Sequence, residues 1–196
     1  MAKLYFRYGA MNSGKSTLLL QTAHNYEENG MKIVLVKPLI DTKGDTKIVS
    51  RIGAERDVDL LLDKNDNLYE IIEEKYRDTN CVLIDEAQFL TKKQAEECME
   101  IVVGLDIPVI CYGLRTDFLT NGFPGSSRLL ELAHTIEEMK TICACGTKAI
   151  YNARFVDGEF TLSGDQVAID GEKKVTYNSM CAKCYEKEKR KLLIKK

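Results

Sequence analysis

Short apolar runs alternate with amphipathic stretches along the first two thirds of the chain. Residues 3–8 (KLYFRY) are apolar and aromatic and stop at Gly9, which predicts a strand. The stretch 14–29 has helical spacing and closes at Gly30, a common helix stop. Ile33-Val34-Leu35-Val36 is a continuous apolar run with β-branched members, ended by Pro38, as expected of a strand buried on both faces. Residues 40–58 are polar and contain glycine, and predict a long loop. A helix is expected over 67–76 and a third buried strand at Cys81-Val82-Leu83-Ile84. Thr91 is a candidate N-cap for a helix over 91–103, and residues 108–112 form a fourth strand ending at Gly113. Alternating strand and helix favours a parallel sheet with helices on both faces. Ligands of such folds bind at the carboxyl ends of the strands.

The pattern changes near Thr141. Turn signals become frequent (Asp157-Gly158, Ser163-Gly164-Asp165, Asp170-Gly171), and the alternation of strand and helix is lost. We therefore expect an α/β domain over 1–140, a smaller domain over 141–185, and a basic tail over 186–196. With no linker between them, the two domains should pack together. The 196 residues suffice for one α/β core with a modest appendage.

Charge and composition narrow the partners. The formal net charge is -2, whereas a nucleic-acid binder usually carries a basic excess. The basic C-terminal stretch reads equally well as a solvated helix end. There is neither an apolar run of membrane-spanning length nor a signal-peptide core at the N-terminus, so a cytoplasmic location is expected.

Gly9-Ala10-Met11-Asn12-Ser13-Gly14-Lys15-Ser16 fits G-x-x-x-x-G-K-[ST], and Thr17 follows it. Glycines let the backbone curl so that N–H groups converge on phosphate oxygens. The following helix N-terminus adds partial positive charge. Lys15 can reach the β- and γ-phosphates and the Ser16 hydroxyl can ligate Mg²⁺, which points to ATP. The expected context of strand, loop and helix is the one this motif requires.

At the end of the third strand stands Asp85-Glu86. A carboxylate there can help hold the metal, which suits Asp85. Glu86 is the best candidate for a base that accepts a hydroxyl proton. His24 and His134, the only histidines, fall on helices away from strand ends and read as structural. The alternative is that Asp85-Glu86 merely ends a strand in solvated charge.

Seven cysteines fall into two groups. Cys81, Cys98 and Cys111 lie singly in apolar segments. Cys143-Ala144-Cys145 and Cys181-Ala182-Lys183-Cys184 form two close pairs, as a closed tetrahedral Zn²⁺ site requires. Free buried thiols or a redox dithiol are the competing readings. A site filled by four protein thiolates would be structural.

Taken in order, the phosphate loop, Lys37-Pro38, Asp85-Glu86-Ala87-Gln88-Phe89, Tyr112-Gly113-Leu114-Arg115-Thr116-Asp117-Phe118 and the late cysteines resemble the thymidine kinase family of the zinc-containing type. The match runs nearly the whole chain, to about Tyr185. The resemblance implies a RecA-like P-loop domain followed by a small zinc-bearing domain with a lasso loop between the cysteine pairs. It implies phosphate transfer from ATP to the 5′-hydroxyl of thymidine, feedback binding of dTTP and a homotetramer. It also implies roles for single residues. Glu86 is the proton acceptor, and Asp85, Ala87 and Gln88 join the phosphate loop in the nucleotide site. Met11, Phe89, Leu114, Phe118 and Tyr177 belong to the nucleoside pocket. Arg154 resembles an arginine near the phosphates.

Three rivals stay open at this stage. An ATPase could use its zinc module on nucleic acid, although the chain is short for the second lobe of a helicase. A kinase for another nucleoside would share the same apolar pocket walls. A nucleotide-binding regulatory module would not require a base beside the metal ligand.

Overall fold

The computed structural model describes residues 1–39, 46–164, 166 and 174–194. Its centre is a six-stranded sheet with the order β5-β2-β6-β7-β1-β8. The strands are β1 (Leu4–Tyr8), β2 (Ile33–Pro38), β5 (Leu60–Leu62), β6 (Cys81–Ile84), β7 (Val109–Gly113) and β8 (Thr135–Glu138). Every neighbouring pair is parallel.

Alternate strand residues face opposite layers, as the period of a strand demands. Leu4, Phe6, Val34, Val36, Val82, Ile84 and Val109 pack on one side against α2 (Leu68–Lys75), α3 (Lys92–Glu100) and α4 (Pro124–Leu132). Leu35, Leu83, Ile110 and Tyr112 face the other side, where Leu19 and Ala23 of α1 (Lys15–Glu28) meet them. The all-apolar strands are therefore buried on both faces, which is why their sequences lack alternation.

The local signals resolve in detail. Asn67 caps α2 by accepting from the Glu70 N–H, and Thr91 forms a capping box with Gln94 at the start of α3. Gly30 has φ +71, the left-handed geometry that ends α1. Pro38 does not stop β2 before it. It is the last residue of that strand, and its neighbour Leu39 donates its N–H to Leu62 O at the sheet edge. The loop expected over 40–58 is corrected over its second half. β3 (Lys47–Val49) and β4 (Glu55–Asp57) form an antiparallel hairpin. Its single apolar anchor, Ile48, is buried in the layer that holds α1. One buried residue in so short a strand leaves no period to read. Residues 40–45 lie outside the described ones.

Beyond residue 140, β9 (Thr141–Ile142) pairs with β10 (Lys148–Ala149). A three-stranded antiparallel sheet has the order β12-β11-β13, from β11 (Tyr151–Val156), β12 (Glu159–Thr161) and β13 (Val175–Met180). Helix α5 (Ala182–Ile194) starts within the second cysteine pair and runs through much of the basic stretch, with Tyr185 buried among Phe160 and Tyr151. The Tyr185 hydroxyl donates to Phe118 O at 2.5 Å, tying this helix to the loop after β7. The lasso expected between the cysteine pairs includes 165 and 167–173, which lie outside the described residues.

Candidate active site

The phosphate loop leaves β1 at Gly9 and enters α1 at Lys15. Gly9 has no room for a side chain: a Cβ there would lie 2.5 Å from Met139 O and from Ser13 Oγ. Gly14 has φ +80, and Asn12, with φ +64, takes the left-handed region without being glycine. Lys15 folds back over the loop, donating to Ala10 O at 2.9 Å and Gly9 O at 3.3 Å. Burial lowers the Lys15 pKa, against the opposing pull of Glu86 and Asp85. Ala10 is buried, and Thr17 lines the cleft beside Ser16.

Asp85 arrives from β6, two strands away from β1, yet its Oδ2 accepts from Ser16 Oγ at 3.4 Å. Burial, then the neighbouring Glu86 charge, raise the Asp85 pKa from 3.8 to about 6. A carboxylate and a hydroxyl on the phosphate side of a buried strand end fit a divalent cation, which would supply the compensating charge. Glu86 has φ +50, a strained backbone for a non-glycine residue. Its side chain accepts from Gln88 Nε2. Gln88 Oε1 in turn accepts the Leu114 N–H at 2.9 Å. Gln88 is buried in a short 3₁₀ turn over Ala87–Phe89 and so links the candidate base to the loop after β7. Gly113 permits this contact, since a Cβ there would meet Gln88 Oε1 at 2.9 Å.

Two cavities meet at this point. The first, about 410 Å³, runs along Gly14, Lys15, Ser16 and Thr17 and reaches Glu86. The hairpin contributes Val49, Arg51 and Ile52 to its wall. The second, about 170 Å³, is lined by Phe89, Phe118, Phe123, Asp117, Asn152 and Tyr177, among others. Met11 and Leu114 line both. A larger hollow of about 620 Å³ opens beside Ile33, Tyr76 and Thr79, at the amino ends of the strands, and contains none of the candidate residues.

Most of the sequence-derived candidates therefore converge. Gly14, Lys15, Ser16, Thr17 and Glu86 share the first cavity, while Phe89, Phe118 and Tyr177 share the second. Arg154 is buried with its guanidinium 4.1 Å over the Phe118 ring, and its Nε donates to Tyr177 Oη at 3.0 Å. It braces the wall of the second cavity. Sequence reasoning missed Asn152, Phe123 and the hairpin residues. It quoted Asp117 without a role. Asp117 Oδ1 accepts from Leu119 N and Asn121 N, and Oδ2 accepts from Gln166 Nε2 at 3.1 Å. An aspartate whose carboxylate accepts the N–H two residues on, an Asx turn, is the available sequence signal.

The Sγ atoms of Cys143, Cys145, Cys181 and Cys184 all lie within 4.8 Å of one another. Four ligands at 2.3 Å from a tetrahedral Zn²⁺ would be separated by about 3.8 Å, and Cys145 and Cys181 are 3.6 Å apart. Hydrogen bonding from Thr147 pulls Cys145 down to about 6, while its contact with Cys145 pushes Cys184 up to about 12. The donor set fits zinc, which would favour thiolates at all four positions.

The family model for thymidine kinase matches residues 2–185. The chain belongs to the thymidine kinase family. It is 46% identical over 187 residues to a thymidine kinase of Chromobacterium violaceum, covering 94% of this chain and 98% of that protein. It is 47% identical over 188 residues to one of Shewanella oneidensis, covering 93% and 96%. For one of Legionella pneumophila the identity is 47% over 192 residues, covering 95% and 90%. Family membership makes the chain a kinase, and the two adjoining cavities can be read accordingly.

Proposed function

We propose that the protein transfers the γ-phosphate of ATP to the 5′-hydroxyl of thymidine, giving dTMP and ADP. The observation that carries this reading is that Glu86 lines the phosphate cleft, which shares Met11 and Leu114 with the apolar cavity, and is tied through Gln88 to the Leu114 N–H. ATP phosphates would lie along residues 9–17, met by loop N–H groups and Lys15. Ser16 and Asp85 would hold Mg²⁺, which neutralises charge on the phosphates when bound. Thymidine would occupy the cavity of Phe89, Leu114, Phe118 and Tyr177, with its 5′-hydroxyl toward Glu86. Glu86, oriented by Gln88, would accept the hydroxyl proton as the new P–O bond forms.

Zinc on the four cysteines would fix the ends of the segment that borders the apolar cavity, apart from the chemistry. Continuity of the two cavities through Met11 and Leu114 supports feedback by dTTP, whose base and phosphates would span them. Exposed Val103 and Ile142 are candidates for the contacts of a homotetramer. A cytoplasmic setting suits seven cysteines of which none is joined in a disulfide. Among the described residues, no helix is long and apolar enough to cross a membrane.

The acceptor atom can be tested with 5′-deoxythymidine. It should compete with thymidine yet yield no phosphorylated product. A phosphorylated product from this analogue would place the acceptor elsewhere on the sugar and contradict the proposed orientation.

A further inference from the structure

The apex of the phosphate loop is gripped by side chains that come from the cysteine-bearing domain. Both backbone groups of Met11 are engaged. Its N–H donates to Asn152 Oδ1 at 2.7 Å, and its carbonyl accepts from Ser179 Oγ. Asn152 and Ser179 face each other across β11 and β13. The other end of the Asn152 amide donates to Thr116 O at 3.2 Å, so this buried side chain bridges two loops. At the next residue, the Asn12 carbonyl accepts from Thr141 Oγ1 at 3.3 Å.

These bonds matter because the loop is not self-sufficient there. Asn12 holds a positive φ that only surrounding contacts maintain. Phosphate binding depends on several N–H groups pointing at one place, and misdirected N–H groups lose that convergence. The strands that carry the grip are themselves anchored on the thiols. β13 runs directly into Cys181, and β11 follows the turn closed by Cys143 and Thr147.

We propose that Asn152 and Ser179 are positioning residues for ATP: they hold the Met11 backbone so that the order of the cysteine domain is transmitted to the phosphate loop. This rests on residues 9–17 binding ATP phosphates and does not depend on which acceptor is phosphorylated. Asn152 also lines the apolar cavity, whereas Ser179 lines neither cavity, so Ser179 carries the cleaner test.

The experiment is calorimetric titration of the intact, zinc-loaded protein with Mg²⁺ and a non-hydrolysable ATP analogue, without any nucleoside. Ser179→Ala should weaken binding about three- to ten-fold, the worth of one hydrogen bond, with zinc content unchanged and any fall in melting temperature no larger than the loss of that one bond explains. Ser179→Thr, which keeps the hydroxyl, should restore it. Asn152→Ala combined with Ser179→Ala should weaken binding by less than the product of the single effects, because both act on one residue. Wild-type affinity in both single variants would overturn the proposal. So would a loss that Ser179→Thr fails to repair, or one that appears only together with lost zinc.

Discussion

Removing the charge of Asp85 should stabilise the protein while abolishing the proposed Mg²⁺-dependent phosphate transfer. Asp85 is 5% exposed, and its pKa stands at about 6 against 3.8 for a free carboxyl. A raised carboxyl pKa favours the folded state only while the group is protonated. Its contribution is lost as pH rises from about 4 through about 6. Above pH 6 the folded protein holds a buried carboxylate that the unfolded chain would solvate, at a cost of about 3 kcal/mol. Asp85→Asn keeps the shape and can still bond Ser16 Oγ. At pH 8 it should melt about 6–12 °C above the wild type, both without ligands, given the usual scaling for chains of this length. At pH 5 the advantage should shrink to about half, because wild-type Asp85 is then largely protonated in the folded state. The same variant should gain little stability from Mg²⁺ and ATP and should lose most turnover. Thermal unfolding from pH 5 to 8, with and without Mg²⁺ and ATP, measures all of this. A variant less stable than wild type at pH 8 would refute the claim that burial dominates the environment of Asp85. Undiminished turnover would refute its part in holding the metal.

Three further variants probe the rest of the site. Glu86→Gln should keep ATP and thymidine binding but lower kcat by about 10²–10⁴-fold, and a nearly unchanged kcat would remove Glu86 as the base. Gln88→Ala should destabilise the protein by about 1–3 kcal/mol, because it strips the partner of the buried Leu114 N–H, and should lower kcat by releasing Glu86; denaturant unfolding and steady-state kinetics check the two parts. Cys184→Ser should lower zinc content and raise the KM for thymidine, and full stoichiometric zinc in that variant would reject the four-cysteine site.

The strand ends that carry the candidate site were the most legible part of the sequence, for a physical reason. The roles proposed for residues 9–17 and Asp85-Glu86 rest on backbone curvature and charge at the ends of apolar strands, and both features are local in sequence. The two cysteine pairs were legible because metal geometry restricts spacing. The hairpin over 47–57 was not, since its only buried apolar side chain is Ile48, and its contribution of Arg51 and Val49 to the cleft is purely tertiary. Of the two sheet edges, β5 has only three residues and β8 carries a single apolar residue, Ile136, so neither announces itself. Asn152 gave no signal at all. It sits in an ordinary strand pattern, and its bonds to Met11 and Thr116 join positions far apart in the chain. Arg154 was expected near the phosphates by resemblance, and only the folded arrangement reveals its packing on Phe118.

The most direct test of the account is turnover of the purified protein with ATP and Mg²⁺ against each common nucleoside in turn, following ADP and the phosphorylated product together. The account predicts dTMP formed in step with ADP, at a rate well above that for any other acceptor. ADP released without a nucleotide product, or faster transfer to a different nucleoside, would contradict it.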